Sequence, residues 1–190
     1  MSGAEEKLLD LSQRIASCDR CKLCGRRTQT VFGEGNPNAT VMFVGEGPGQ
    51  EEDLQGRPFV GPAGQLLDRM LAAIGLSRSD VYIANVVKCR PPRNRNPEPD
   101  EAEACLPFLR MQYAWIRPKI IVCLGSVAAR NLIDPAIRIT RDRGQWIERG
   151  GVFFLLTYHP AALLRDESKK REAWQDLQLL AEKLKSLENQ

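Results

Sequence analysis

Apolar residues along the chain fall into two alternating patterns. Short, nearly continuous runs occur at TVMFVG (40–45), VYIANVVKC (81–89), KIIVCLG (119–125) and VFFLLTYH (152–159). Their length and β-branched content predict strands buried on both faces. Between them the apolar positions recur on a helical period. Residues 4–17 carry Leu8, Leu9, Leu11 and Ile15. Pro62 or Ala63 opens a helix through QLLDRMLAAIG, with Gly75 as its stop. A helix over about 99–115 begins with acidic residues that suit its N-terminus. Ser126 is the expected N-cap of a helix starting SVAARNL. RDRGQWIERGG reads as a short polar hairpin. The last helix, 168–187, has Trp174, Leu177, Leu180, Ala181 and Leu184 on one face.

Strands alternating with helices predict a three-layer α/β/α fold with a central four-stranded, mostly parallel sheet and helices on both faces. A chain of 190 residues fits a single domain, with an N-terminal helix and a cysteine-bearing segment at about 1–30. In open sheets of this kind ligands bind beyond the carboxyl ends of the strands. Those ends carry Gly45-Glu46-Gly47, Asn85 and Cys89-Arg90, Gly125-Ser126, and His159-Pro160. The conspicuous polar groups therefore converge on one edge of the sheet.

Composition changes the picture at the cysteines. There are six, with no basic-then-apolar leader and no membrane-length apolar run. A cytoplasmic location is expected, where thiols stay reduced and clustered Cys bind metal or do redox chemistry. Cys18, Cys21 and Cys24 form a C-x-x-C-x-x-C ladder, and Cys89 and Cys105 flank the loop RPPRNRNPEPDE. Cys123 lies inside an apolar strand and reads as an inert thiol. Four thiolates suit either Zn²⁺ or an iron–sulfur cluster, and spacing alone leaves Cys24 open as a ligand in place of Cys89 or Cys105. The net charge is only +3, but Lys88, Arg90, Arg93 and Arg95, then Arg138, Arg141 and Arg143, then Arg165, Lys169, Lys170 and Arg171, form three basic stretches.

The loop Gly45-Glu46-Gly47-Pro48-Gly49 lacks the Lys-Ser/Thr ending of a P-loop, does not match G-x-G-x-x-G, and is followed by Glu51, Glu52 and Asp53, which would repel phosphate. Its glycines instead allow close backbone approach to a ligand, and its carboxylates can orient water. Phe59 offers a stacking platform or a core ring. Asn85 offers a paired donor and acceptor. His159, restrained by Pro160, is the only histidine.

Together GEGPGQEED, GRPFVGPAG, VYIANVVKCRPPRNRNP and TYHP followed by AALLR resemble the family 4, iron–sulfur uracil-DNA glycosylases, from about residue 18 to the end. The resemblance implies a [4Fe–4S] cluster on Cys18, Cys21, Cys89 and Cys105, leaving Cys24 and Cys123 as spectators. It implies that Glu46, Gly47 and Glu52 line the uracil pocket and place the attacking water. Phe59 would stack on the flipped base, Asn85 would read its Watson–Crick edge, and His159 would donate to O2. Leu163 or Leu164 would wedge into the base stack and Arg165 would hold a phosphate. The implied activity is hydrolysis of the N-glycosidic bond of uracil in single- or double-stranded DNA by a monomer associated with the nucleoid. The loop after Cys89 holds no histidine to trap the sugar, and no lysine in the matched motifs is placed to attack it. Turnover without a lyase step is therefore expected. The rival is a non-catalytic nucleic-acid-binding protein with a Cys₄ cluster or zinc site.

Overall fold

The computed structural model of the chain describes residues 3–189. One six-stranded sheet forms its centre. The strands are β1 (Glu34–Gly35), β2 (Val41–Gly45), β3 (Tyr82–Asn85), β4 (Ile120–Leu124), β5 (Trp146–Arg149) and β6 (Val152–Thr157), in the order β1-β3-β2-β4-β6-β5. The four inner strands come from the four apolar runs, and their pairings are all parallel. β1 pairs with β3, and β5 with β6, as antiparallel edges.

The expected count of four strands is thus corrected to six, for local reasons. β1 is two residues long and presents no apolar run. β5 has half-buried Trp146 and Ile147 followed by exposed Glu148 and Arg149. An edge strand needs no burial on two faces, so it leaves no continuous apolar signature. The polar hairpin expected here is real, but its first arm is β5 and its second is β6.

The helices are α1 (Gly3–Ala16), α2 (Gln50–Gln55), α3 (Pro62–Ala73), α4 (Pro99–Ile116), α5 (Ser126–Leu132), α6 (Ile139–Asp142), α7 (Pro160–Arg165) and α8 (Lys170–Glu188). Side chains alternate across the sheet. Met42, Val44, Ala84, Ile121 and Cys123 share one core with Leu11 of α1, Phe108 of α4 and Ala128 of α5. Val41, Phe43, Ile83, Ile120 and Val122 share a second with Leu67 of α3, Leu163 of α7 and Leu177 of α8. Burial on both faces explains why the inner strands read as unbroken apolar runs. Two details differ from expectation. Gly125, not Ser126, is the N-cap of α5. Trp174 is 41% exposed, because the buried stripe of α8 runs through Ala173, Leu177 and Leu180 and leaves Trp174 at its rim.

Candidate active site and thiol cavity

The parallel strands send their carboxyl ends to one edge, where a cavity of about 690 Å³ opens. Glu46, Gly47, Glu52, Phe59, Asn85, His159, Leu164 and Arg165 all line it. Asn85 ends β3 and is buried, and its Oδ1 is the only buried side-chain nitrogen or oxygen among the described residues without a hydrogen-bond partner. An unmet buried acceptor costs about 1–3 kcal/mol. Such a group is most simply understood as an acceptor kept for a ligand. Gly45 makes room for it. A Cβ at that position would lie 2.5 Å from both Asn85 Oδ1 and Phe59 Cζ.

Phe59 is buried and its ring stacks against that of His159, with centroids 5.5 Å apart and 29° between planes. His159 caps α7, and its Nδ1 accepts from the Ala161 N–H at 3.1 Å. In the neutral ring this leaves the proton on Nε2. Burial lowers the imidazole pKa to about 4, helped by the charge of Arg165 and opposed by Glu52. At neutral pH the residue is therefore an uncharged Nε2–H donor. Burial raises the Glu46 carboxyl above its ordinary value, with Arg165 opposing.

Glu52 faces the cavity, but its oxygens are already committed. Oε1 accepts from the Val60 and Gly61 N–H groups at 2.8 Å each, and Oε2 from Gly49 N–H at 3.1 Å. The side chain ties the loop leaving β2 to the loop that carries Phe59. Of the two leucines in AALLR, Leu163 is 1% exposed and packs in the core beneath α7, so it is not available as a wedge. Leu164 is 42% exposed at the cavity, beside exposed Arg165.

The basic stretches are only partly surface. Lys88 is buried, donating from Nζ to Asn85 O at 3.0 Å and to Gln112 Oε1 at 2.6 Å. Burial lowers its pKa to about 8. Arg95 forms a double hydrogen bond to Glu101, and Arg143 does the same with buried Asp176. Arg95 and Arg143 satisfy internal carboxylates and Lys88 satisfies a carbonyl and an amide oxygen, so the three basic stretches overstate the positive surface.

A second, smaller cavity lies away from the first and is lined by Cys18, Cys21, Cys24, Cys89 and Cys105. Cys123 is buried in β4 and takes no part. The Lys88 N–H donates to Cys105 Sγ at 3.3 Å and Arg27 Nη1 to Cys89 Sγ at 3.4 Å. Arg27 also holds Cys18 O at 2.6 Å. Burial pushes the Cys89 thiol up to about 11, with Arg27 opposing. Among the described residues, no three His, Cys, Asp or Glu side chains meet the geometry of a single metal-ion site.

Arg78 and Gln112, which support these cavities, were not singled out from sequence. Their partners lie up to 44 and 80 residues away, so no local pattern marks them.

Fold and site define a parallel-sheet α/β domain that presents a ring, an unmet acceptor and an imidazole donor to one ligand-sized cavity. The family model described as the Uracil DNA glycosylase superfamily matches residues 32–178. A type-4 uracil-DNA glycosylase of Archaeoglobus fulgidus is 48% identical over 185 residues, covering 93% of each chain. A type-4 enzyme of Thermotoga maritima is 48% identical over 172 residues, covering 90% of each. A type-5 uracil-DNA glycosylase of Pyrobaculum aerophilum is 35% identical, covering 81% of this chain and 82% of that protein. The chain belongs to the uracil DNA glycosylase superfamily, and within it to the type-4 glycosylases.

Proposed function

We propose that the chain flips uracil out of DNA and hydrolyses its N-glycosidic bond, leaving an abasic site. The observation that carries this reading is the unmet Asn85 Oδ1 in the same cavity as the neutral His159. Uracil N3–H fits that acceptor, and O4 fits the amide donor of the same side chain. Phe59 supplies a flat apolar wall for the ring. As the bond between C1′ and N1 breaks, its electron pair moves onto the base. The Nε2–H of His159 then donates to O2, where negative charge develops, and a donor so placed is worth about 3–4 kcal/mol. Water adds to C1′ of the cationic sugar. Glu46 is the carboxylate suited to orient this water and take its proton, since Glu52 is held by backbone donors. Gly47, where a Cβ would fall 2.7 Å from Val87 Cγ2, lets the loop pack against the segment after β3.

Extrusion of the base costs a few kcal/mol, which Leu164 would offset by filling the vacated stack while Arg165 holds a phosphate. Release by water needs no lysine, and no lyase step follows. We assign the substrate DNA as single- or double-stranded and the enzyme as a cytoplasmic, nucleoid-associated monomer.

The thiol cavity fits a [4Fe–4S] cluster on Cys18, Cys21, Cys89 and Cys105, with Zn²⁺ as the alternative. Its soft donors and the hydrogen bonds to Cys89 and Cys105 sulfur suit either group. When bound, the group cross-links the segment after α1 to the chain after β3 and to α4. No cysteine lines the reaction cavity among the described residues, so the group is structural in this reading.

The test is incubation with a labelled oligonucleotide holding one uracil, beside a matched thymine control, followed by alkali. Scission in the uracil lane alone supports the glycosylase. No scission from protein with its full iron and sulfide content would shift the reading to the non-catalytic binding protein.

A further inference from the structure

One cation outside the cavity is tied to its wall more completely than any residue within it. Arg78 lies in the turn after α3, and its guanidinium makes four hydrogen bonds from all three nitrogens. Nε donates to Glu34 Oε1 at 2.8 Å. Nη1 donates to Phe59 O and to Asp68 Oδ1, both at 3.0 Å. Nη2 donates to Pro58 O at 2.5 Å and lies 2.6 Å from Glu34 Oε1. Glu34 and Asp68 thus hold the fork from β1 and α3, while its other arms hold two successive carbonyls.

Those carbonyls belong to an unusual piece of backbone. Phe59 has φ +53°, a conformation that bulky residues adopt only where the surroundings over-determine it. Three constraints meet there. Arg78 holds the carbonyls of 58 and 59, Glu52 holds the N–H groups of 60 and 61, and the α3 backbone packs against the turn at Gly64. A Cβ at Gly64 would fall 1.7 Å from Phe59 O, so only glycine permits this approach. The outcome of the turn is the stack of the Phe59 ring on His159.

We propose that Arg78 is a positioning residue of the base pocket. By gripping the Pro58 and Phe59 carbonyls it fixes the left-handed turn that sets the Phe59 ring beside His159 and against the flipped base. The inference rests on the uracil-glycosylase reading and deepens it. It follows from the shape of the guanidinium. A planar fork can serve adjacent carbonyls and two carboxylates together, whereas a lysine ammonium is a single point of charge.

Arg78→Lys keeps the positive charge between Glu34 and Asp68 but loses the fork. The expected result is a folded protein whose single-turnover uracil release falls about tenfold to a hundredfold, the scale of a misplaced contact near the reacting centre. Its affinity for abasic-site DNA stays within about twofold of wild type, since the residue acts through Phe59. In a Phe59→Ala background the same substitution should change the rate by less than about twofold. Equal losses in both backgrounds, or an undiminished rate in Arg78→Lys alone, would overturn the assignment. If Arg78→Lys does not fold, Arg78→Gln, which keeps a planar amide donor, carries the same cycle. A fluorinated phenylalanine at position 59 gives a readout independent of catalysis. Its fluorine resonance should shift and broaden on loss of the fork, and an unchanged line overturns the positioning role. A responsive line in a protein that releases no uracil would retain the role of Arg78 and reject the glycosylase reading instead.

Discussion

The protonation state of His159 makes the sharpest demand on the mechanism. At pH 6 a histidine at its ordinary value of 6.5 is about three-quarters cationic, whereas one at about 4 is about 1% cationic. If His159 acts as a neutral donor, single-turnover uracil release should stay flat, within about a factor of two, from pH 8 to pH 6. If the ring titrated normally and worked only when neutral, the rate would fall about fourfold by pH 6. As the pH falls, two losses follow in order. The Glu46 carboxyl, raised by burial, takes up its proton first and can no longer accept one from water. The ring follows near 4. Glu46→Gln should lower the rate and leave only the lower step. His159→Ala should lower it about 10²–10³-fold at pH 7.5, the cost of one donor to a developing anion. The fold feels the same proton. Because the folded pKa lies below the unfolded value, this contribution to stability is complete above pH 6.5 and is lost as pH falls from there through about 4. The assay is quenched single-turnover release from a labelled uracil oligonucleotide, with circular dichroism at each pH to report folding. A rate step centred at 6.5 in wild type, absent in His159→Ala, would show that the pocket does not hold the ring neutral and would refute the argument from burial.

Three further outcomes are expected. Asn85→Asp should release cytosine measurably where wild type does not, because the carboxylate has no amide donor to set against the cytosine edge; competition between uracil and cytosine oligonucleotides checks it, and unchanged rejection removes Asn85 as the reader. Cys105→Ala should lose the brown absorbance and bound iron of a cluster and lower the melting temperature, while Cys24→Ala keeps both; the reverse pattern would make Cys24 the ligand. Leu164→Ala should change stability by less than about 0.5 kcal/mol yet slow release from duplex more than from single-stranded DNA, whereas Leu163→Ala should cost about 2–5 kcal/mol of stability in a denaturant titration.

What was legible in the sequence was what repeats locally. Four continuous apolar runs marked the inner strands because those strands are buried on both faces. The rule that ligands gather at the carboxyl ends of such strands places Glu46, Asn85 and His159 together from sequence alone. The edges were not legible, since β1 is only two residues long and β5 is half solvent-facing. Within AALLR, two adjacent leucines have the same local signal, and only the packing of α7 buries Leu163 and leaves Leu164 out.

The deeper gap concerns charge. A charged residue read from sequence defaults to the surface, because burying it unpaired is costly. This chain meets that cost with partners distant in sequence. Lys88 is satisfied by Gln112, 24 residues on, and Arg143 by Asp176, 33 residues on. Arg78 reaches Glu34, 44 residues back. Each of these pairs braces a functional element rather than the bulk core. Lys88 joins the Asn85 carbonyl to Cys105 through its own N–H, Asp176 receives the Thr157 hydroxyl two residues before His159, and Arg78 holds Phe59. Glu52 follows the same logic within a shorter span, its carboxylate joining Gly49 to Val60 and Gly61. A motif therefore identifies which side chains meet the ligand but is silent on which charges hold them there. The distinction has a consequence for substitution. Replacing a ligand-facing residue such as Asn85 should alter what is recognised, whereas replacing a brace such as Arg78 should alter how well the same recognition is placed.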